Sequence, residues 1–253
     1  MGLLANKVCV VTGAAGSVGL ASVRRFLAEG ARVMLVDLSG DNLKKTATDL
    51  NSDSIAFATA DVSDAAQVKA FMDAAHAEWG KIDVVFSNAG DPGHIAAVTE
   101  YPEDAFDRTM AIHARGAFLA CKYGLPLMND GGSIIITSSV AGVRGGGGIN
   151  MGYAAAKHAQ IGVMRAVTRF CAARGIRVNT INPGPVDNEF QTGIEVRMGK
   201  LTGANVTEQL NQAIPLKRHA RPDEIASAAL YFASDLSTYV TGTVHMIDGG
   251  LMS

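Results

Sequence analysis

The chain has 253 residues, of which 48% are hydrophobic and 18% are charged, and its formal net charge is −2. This balance is typical of a well-buried globular enzyme and excludes a disordered chain. The lysines and arginines are scattered, and their densest cluster is Lys217, Arg218 and Arg221. Because binding to a phosphate backbone requires a basic stripe, we expect no nucleic-acid partner.

Cysteine usage and hydropathy indicate a reducing compartment. The three cysteines, Cys9, Cys121 and Cys171, are far apart and form no CxxC pair. We therefore expect small buried side chains without a disulfide or a metal site. No apolar stretch approaches the roughly 18 residues that a membrane span needs, and the N-terminus enters a strand at once. The sequence predicts a soluble cytoplasmic protein that binds no membrane.

Short β-branched runs alternate along the chain with longer segments of helical periodicity. Nearly continuous hydrophobic strands should be buried on both faces, as in a parallel sheet covered by helices. The alternation predicts one domain over residues 1–253 with an open, doubly wound sheet of about seven strands, the Rossmann-type α/β architecture. Strands are predicted at residues 8–12, 32–37, 55–60, 82–87, 133–138, 177–181 and 244–247. Helices are predicted at residues 18–29, 41–50, 64–79, 104–128, 152–174 and 223–233, with irregular sequence after residue 181.

A glycine-rich turn follows the first predicted strand, at the point where a helix begins. It reads Thr12-Gly13-Ala14-Ala15-Gly16-Ser17-Val18-Gly19. Small residues let the backbone turn tightly and bring N–H groups and the helix dipole to a pyrophosphate. The pattern therefore indicates a dinucleotide site, although a tight strand-to-helix turn without a ligand has the same composition.

An acidic residue, Asp37, ends the second predicted strand, 24 residues after Gly13. A carboxylate there can accept hydrogen bonds from the adenosine ribose hydroxyls and would repel a 2′-phosphate. The next residues, Leu38 and Ser39, provide no arginine to neutralise such a phosphate. The sequence thus favours NAD over NADP, and the alternative is that Asp37 is only a helix cap or a surface acid.

Six further motifs follow in chain order, each at the end of a predicted strand or on a helix. They are Asp61-Val62, Asn88-Ala89-Gly90, Ser139, Tyr153 with Lys157, Asn182-Pro183-Gly184 and Asp248-Gly249-Gly250. Together with the glycine-rich turn they make the sequence resemble the short-chain dehydrogenase/reductase family over almost its whole length. The resemblance implies an NAD-dependent oxidoreductase that interconverts a secondary alcohol and a ketone by hydride transfer. It also implies a homodimer or homotetramer built on the helices around residues 106–128 and 152–174.

The resemblance also assigns roles around the cofactor. Asp61 and Val62 hold the adenine, residues 88–90 support the strands beside the cofactor, and residues 183–186 flank the nicotinamide. Lys157 binds the nicotinamide ribose. The expected NAD-binding residues are Gly13, Ser17, Val18, Gly19, Asp37, Asp61, Val62, Asn88, Ala89, Gly90, Tyr153, Lys157, Pro183, Gly184 and Val186.

The expected catalytic groups follow the fifth predicted strand. Tyr153 and Lys157 are four positions apart on a helical segment, so their side chains project from one face. By resemblance Tyr153 is the acid/base that exchanges the alcohol proton, and a cation such as Lys157 must lower its pKa. Either Ser138 or Ser139 could polarise the substrate oxygen. We choose Ser139, and we expect the Ser138 hydroxyl to satisfy backbone groups.

The chain departs from the family pattern at two positions. Ser17 stands where the middle glycine of the turn is expected, with Gly16 just before it. His113 follows residues 107–112 where the family has an asparagine that binds a water in a proton relay with lysine. We expect a functional or kink-stabilising role for His113, and the alternative is a simply packed histidine.

Substrate recognition is expected in residues 91–95, 144–150 and 186–214, the last of which resembles the family's substrate lid. The candidate contacts are the apolar Phe190, Met198 and Leu201 and the polar His94, Arg144 and Asn150. Nothing in these segments identifies the alcohol.

Three other interpretations of the sequence compete with an alcohol dehydrogenase. A 3-oxoacyl-thioester reductase of the same fold is one, although Asp37 argues against the NADPH that such reductases generally prefer. A noncatalytic NAD-binding sensor is conceivable because of His113, but Ser139, Tyr153 and Lys157 argue against it. A purely structural protein would have little use for paired catalytic and cofactor motifs.

Overall fold

The computed structural model describes residues 2–145 and 148–253. Its centre is a sheet of seven strands, β1 (Val8–Thr12), β2 (Arg32–Asp37), β3 (Ile55–Thr59), β4 (Ile82–Ser87), β5 (Met128–Thr137), β6 (Arg177–Pro183) and β7 (Val244–Ile247). All the strand pairs are parallel, and the order is β3-β2-β1-β4-β5-β6-β7. The predicted fold class and strand number are confirmed.

Helices cover both faces of this sheet. They are α1 (Ser17–Ala28), α2 (Gly40–Leu50), α3 (Ala65–Trp79), α4 (Glu103–Met110), α5 (Gly116–Gly124), α6 (Met151–Ala172), α7 (Glu189–Thr202), α8 (Val206–Ala213) and α9 (Pro222–Ala233). Val8 and Val10 of β1 belong to the core layer under α3, α5 and α6, whereas Cys9 and Val11 belong to the layer under α1 and α9. This alternation follows from the two-residue period of a strand and explains why β1 is apolar throughout.

The predicted helix over residues 104–128 is wrong as a single element. The chain forms α4, a π-helical segment Ala111–Arg115, α5 and a short turn Leu125–Leu127. A π segment contains one residue more per turn than an α-helix, and helical periodicity in the sequence does not reveal this insertion. Such segments are frequent at functional sites. His113 lies within the π segment.

Strand β5 begins at Met128, five residues before the predicted start at residue 133. Residues 129–132 are polar or glycine, so this part of the strand does not show the apolar pattern from which strands are predicted. The pairing with β4 is irregular there, since the register shifts between Ile82 and Val84. Residues 189–213, expected to be irregular, contain α7 and α8, which the side chains of Asn188 and Asn205 cap.

The remaining sequence expectations concern cysteines, membranes and the glycine run. Cys9, Cys121 and Cys171 are buried free thiols, as predicted. Within the described parts of the chain, every helix is too short or too polar to span a bilayer. The glycine run at 145–148 and the proposed substrate segment 144–150 include residues 146 and 147, which lie outside the described residues.

Candidate active site

A large cleft lies at the carboxyl ends of the strands. Consecutive crossovers run in opposite directions from β1 and β4, and ligands of open α/β sheets bind at such a switch point. The cleft has a volume of about 980 Å³. Every residue that the sequence assigned to the cofactor or to catalysis lines this cleft. The fold therefore brings together six of the seven motifs, which are distant along the chain. The seventh, Asp248-Gly249-Gly250, contributes Asp248 and Gly249 to a separate, smaller pocket.

The glycine-rich turn is tightly packed. Gly13 has φ of +67°, and a Cβ there would lie 2.9 Å from Cα of Ala89. A Cβ at Gly19 would overlap the carbonyl oxygen of Gly13. The N-cap residue of α1 is Gly16, which has no side chain that could accept a hydrogen bond. Among the described residues, no side chain caps the first N–H groups of this helix, which lie at the cleft. This cradle fits the pyrophosphate of a dinucleotide.

Asp37 is held at the edge of the glycine-rich turn. Its Oδ2 accepts a hydrogen bond from the N–H of Ala15 at 3.0 Å, and its Oδ1 accepts one from the N–H of Ser39 at 3.2 Å. Both Asp37 and the next residue, Leu38, line the cleft. These bonds orient the carboxylate beside the glycine-rich turn, at the edge of the cleft.

Hydrogen bonds tie the loop after β4 to its neighbouring strands. The hydroxyl oxygen of Thr12 accepts from the N–H groups of Asn88 and Ala89 at 3.0 and 3.1 Å. The Asn88 side chain donates to the Thr12 carbonyl and accepts from the Thr137 hydroxyl at 3.1 Å. The ends of β1, β4 and β5 are thus fixed to one another at the floor of the cleft.

Tyr153 and Lys157 lie side by side on α6. The Lys157 ammonium donates to the Thr137 carbonyl at 2.7 Å and stands 5.3 Å from the centre of the Tyr153 ring. Lys157 is only 3% exposed. Burial lowers the pKa of Lys157 to about 7, and the Asp91 carboxylate partly opposes this shift. Burial raises the pKa of Tyr153 to about 12, which the neighbouring Ser139 hydroxyl partly offsets.

The two candidate serines have different partners. The Ser138 hydroxyl is buried and donates to the Lys157 carbonyl at 2.9 Å, which fastens α6 to the end of β5. The Ser139 hydroxyl accepts from the Ala141 N–H at 3.1 Å, and it lowers the pKa of the neighbouring Tyr153. This difference supports Ser139 as the substrate contact and Ser138 as a structural residue.

His113 is buried between the loop after β4 and Tyr153. Its ring stands edge-on to the Tyr153 ring, with 5.4 Å between their centres. Its Nε2 lies 2.9 Å from the Asp91 carbonyl oxygen and 3.2 Å from the Asp91 carboxylate. Burial and the charge of Lys157 lower the pKa of His113, while the contacts with Asp91 oppose that shift. The imidazole is therefore neutral near pH 7.

The segment formed by α7 and α8 covers the cleft. Phe190 of α7 lies 6.3 Å from the Tyr153 ring, centre to centre. The Asn188 amide donates to the Ser17 hydroxyl at 2.9 Å and so links this segment to the glycine-rich turn. Ser17, which departs from the family glycine, thus has a partner that the sequence did not reveal.

The expected substrate contacts divide into two groups. Phe190, Met198 and Asn150 line the cleft. Leu201 is 56% exposed, and the His94 ring packs on Tyr101 with 5.6 Å between ring centres. Among the described residues, Leu201, His94 and Arg144 do not line the cleft.

Three residues beside the cleft lie in segments that were expected to recognise the substrate, but none of them was assigned a role individually. Asp91 contacts His113, Asn188 contacts Ser17, and Glu195 of α7 bonds to His219. The spacing of Asn188 and Gln191, like that of Asn205 and Glu208, matches a helix-capping pattern. That signal could have located α7 and α8, but no local pattern predicts the contacts of Asp91 or Glu195.

Comparisons with known proteins agree with this geometry. A family model described as enoyl-(acyl carrier protein) reductase matches residues 13–252. Levodione reductase of Leifsonia aquatica is 36% identical over 257 residues, covering 97% of this chain and 94% of that protein. D-threitol dehydrogenase of Mycolicibacterium smegmatis is 35% identical over 250 residues, covering 98% of this chain and 93% of that protein. The crystal structure of levodione reductase covers 98% of both chains with a TM-score of 0.90 and 35% identity.

These relatives are a reductase and a dehydrogenase that span nearly the whole chain. The oxidoreductases of this group act on CH–OH groups of small molecules and use NAD(P). Fold, motif order and sequence identity all lead to the same conclusion. The chain belongs to the short-chain dehydrogenase/reductase family.

Proposed function

We propose that the protein is an NAD-dependent oxidoreductase that interconverts a secondary alcohol and a ketone. The observation that carries the proposal is the convergence of Ser139, Tyr153 and Lys157 with Asp37 and the glycine-rich turn on one cleft. The glycine-rich turn, Asp37 and Lys157 would hold the dinucleotide, and its oxidised nicotinamide would supply the redox chemistry as the acceptor of a hydride from the carbinol carbon. The residues of the chain handle the proton and the alignment of the substrate.

Tyr153 exchanges the proton of the substrate oxygen. In alcohol oxidation its phenolate takes the hydroxyl proton, and in ketone reduction the phenol returns a proton to the carbonyl oxygen. Ser139 donates a hydrogen bond to the same oxygen, which stabilises the charge that develops there. Because burial in the protein holds the pKa of Tyr153 at about 12, positive charge must stabilise its phenolate during turnover. Lys157 provides part of that charge.

The cofactor preference is proposed to depend on Asp37. Its carboxylate is fixed beside the glycine-rich turn, and the adjacent Leu38 is 69% exposed at the edge of the cleft. Replacing both residues, as Asp37→Ser with Leu38→Arg, exchanges a group that repels a 2′-phosphate for one that attracts it. We expect the ratio of kcat/KM for NAD to that for NADP to fall by more than about tenfold. An unchanged ratio would place the discrimination elsewhere.

The segment over residues 186–214 is proposed to be the substrate lid. Its residues Phe190, Ile194 and Met198 face the same cleft as Tyr153. An aromatic ring close to the acid/base favours a substrate whose carbinol carbon carries an apolar group. The polar Asn150 also lines the cleft and provides a contact for a second oxygen.

A second candidate is reduction of a 3-oxoacyl thioester. The name of a relative favours it: the 3-oxoacyl-[acyl-carrier-protein] reductase of Thermotoga maritima is 34% identical over 253 residues. The fixed Asp37 carboxylate opposes it, because such reductases generally prefer NADPH. A noncatalytic NAD sensor remains a third alternative that the assembled Ser139, Tyr153 and Lys157 disfavour.

One experiment distinguishes these functions. Purified protein is incubated with NAD and a panel of secondary alcohols, and in parallel with NADH or NADPH and matching ketones and 3-oxoacyl thioesters. We expect NADH to form from at least one alcohol, with a faster reverse reaction from NADH than from NADPH. Turnover of thioesters alone would establish the second candidate, and NAD binding without turnover would establish the sensor.

A further inference from the structure

Asp91 is a charged residue of the cleft for which the proposed reaction has no role so far. It follows the loop at residues 88–90 and contacts His113 in three ways. The His113 Nε2 lies 2.9 Å from the Asp91 carbonyl oxygen, 3.2 Å from its carboxylate Oδ1 and 3.2 Å from its backbone nitrogen. Three atoms of one residue, Asp91, thus contact the same ring nitrogen of His113.

These contacts decide which nitrogen of His113 carries the proton. The carbonyl and the carboxylate can only accept a hydrogen bond, whereas the Asp91 N–H can only donate one. The 2.9 Å contact with the carbonyl oxygen requires a proton on Nε2. The Oδ1 charge 3.2 Å away forms no hydrogen bond with the ring, but it favours an N–H dipole at Nε2 over a lone pair. The Nε2–H tautomer is therefore preferred, and Nδ1 carries the lone pair.

The carboxylate of Asp91 is itself held in place and ionised. The Thr109 hydroxyl donates to its Oδ2 at 3.4 Å, and the Arg108 guanidinium stands 3.8 Å away. Burial alone would raise the pKa of Asp91, but the contacts with His113 and the charge of Arg108 lower it overall. The carboxylate whose charge favours the Nε2–H tautomer is therefore ionised over the ordinary pH range.

The other ring nitrogen of His113, Nδ1, is an acceptor that lacks a hydrogen-bond donor among the described residues. Nδ1 is buried, and none of the described residues forms a hydrogen bond with it. The His113 side chain has no exposed surface, yet it belongs to the wall of the cleft beside Tyr153 and Lys157. A buried unpartnered acceptor costs about 1–3 kcal/mol, so a donor such as water or a substrate hydroxyl is expected at Nδ1.

We infer that Asp91 is a positioning residue that holds His113 as the Nε2–H tautomer, so that Nδ1 accepts a hydrogen bond in the proton relay between solvent and Lys157. This inference rests on the proposed alcohol–ketone reaction. Asp91 is proposed to act mainly through His113; its charge also raises the pKa values of Tyr153 and Lys157 from a distance. Where the family has a single asparagine at position 113, this chain would use two residues: His113, and Asp91, which controls its tautomer.

Nuclear magnetic resonance of protein with nitrogen-labelled histidine tests the tautomer directly. The His113 signals are assigned by their loss in His113→Asn. In the wild-type protein we expect a protonated Nε2 and an unprotonated Nδ1. Asp91→Asn keeps the shape but removes the charge, and its amide can donate to Nε2, so the Nδ1–H form should become populated. Asp107→Asn makes the same change of charge on the exposed surface of α4 and should leave the tautomer unchanged.

Kinetics test whether Asp91 acts through His113. We expect Asp91→Asn to lower kcat by roughly tenfold or more while the Kd for NAD changes by less than about twofold. Adding Asp91→Asn to His113→Asn should lower kcat much less than Asp91→Asn does alone, because the residue being positioned is gone and only the longer-range effect of the Asp91 charge remains. Asp107→Asn should turn over like the wild-type protein.

Two results would overturn the inference. One is an Nδ1–H tautomer in the wild-type protein, which is decisive even if the Asp91 variants do not fold. The other is a loss from Asp91→Asn that is equally large with and without His113. If the protein turns over no alcohol or ketone, the proposed function fails, whereas the tautomer measurement still tests the role of Asp91.

Discussion

At the scale of single residues, burial opposes the charged forms of both Tyr153 and Lys157. The pKa of Tyr153 is raised to about 12 and that of Lys157 is lowered to about 7. The spacing of Tyr153 and Lys157 in the sequence predicts that they lie one helical turn apart, but it does not show how deeply either group is buried. The consequence is that Tyr153 stays protonated in the protein alone, and its phenolate depends on nearby positive charge.

Removing the Tyr153 hydroxyl should separate binding from chemistry. Tyr153→Phe keeps the ring beside His113 and Phe190 but removes the transferable proton. We expect the Kd for NAD to change by less than about twofold and kcat to fall by roughly 10²-fold or more. Isothermal calorimetry and steady-state rates measure the two quantities. Near-wild-type turnover would remove Tyr153 from the mechanism.

His113 should give the activity an acidic limit that lies below the ordinary histidine pKa. Burial and Lys157 lower its pKa from 6.5, so the neutral ring persists as the pH falls below that value. Protonation at still lower pH would place a cation near Lys157 and convert the Nδ1 acceptor into a donor. We expect kcat to fall on the acid side through this step.

Two variants of His113 make that pH dependence specific. His113→Asn should abolish the acid step and retain substantial turnover, because an amide still offers one donor and one acceptor. His113→Leu keeps the bulk without polar atoms and should lose most of the activity. Three pH–rate profiles provide the comparison, and identical acid limbs in all three proteins would show that His113 is only packing.

At the scale of elements, the sequence predicts the strands better than the segments that form the site. Strands β1, β2 and β4 have their predicted bounds because continuous apolar runs between short turns are unambiguous. The π segment around His113 and the helices α7 and α8 were not predicted. The caps Asn188 and Asn205 are a local signal for α7 and α8, whereas the contacts of Asp91 and Glu195 are long-range and no local pattern contains them.

The α7–α8 segment is held together by a buried polar cluster around Glu195. Its carboxylate accepts hydrogen bonds from His219 at 2.6 Å, from Gln191 at 2.8 Å and from Thr207. Burial alone would raise the pKa of Glu195, but these hydrogen bonds lower it overall. The anion therefore connects α7 with α8 and with the loop before α9.

Glu195→Gln should loosen the proposed lid. The amide keeps the shape but removes the charge that His219 and Thr207 face, and breaking such a buried polar cluster is strongly destabilising. We expect the KM for substrate to rise several-fold and limited proteolysis within residues 189–213 to accelerate at least about fivefold. Glu208→Gln, on the exposed face of α8, is the matched control and should change neither quantity. Equal proteolysis of both variants would show that Glu195 does not hold the segment.

At the scale of the whole molecule, strand order and cleft position follow from the alternation of elements along the sequence. Right-handed crossovers and a switch point beside β1 leave few arrangements for seven parallel strands, so the motifs meet at one edge. The sequence could not predict which side chains within that cleft contact one another. Those contacts depend on loop conformations and side-chain directions.

The exposed surface of α5 and α6 supports the expected association of subunits. Phe118 of α5 is 48% exposed and Phe170 of α6 is 74% exposed. A Cβ at Gly162 would meet no atom within 4 Å, so another helix can approach closely there. We expect a dimer or tetramer in light scattering at micromolar concentration, and Phe118→Asp with Phe170→Asp should shift it towards monomer. A wild-type monomer would contradict this prediction.

Hydride transfer between alcohol and cofactor is the central claim, and isotopic labelling measures it directly. A secondary alcohol that turns over is prepared with deuterium at the carbinol carbon and incubated with NAD and the wild-type protein. Mass spectrometry should find the reduced cofactor heavier by one deuterium, with the ketone as the other product. Unlabelled NADH, or no reduction of NAD by any alcohol in the panel, would contradict the account.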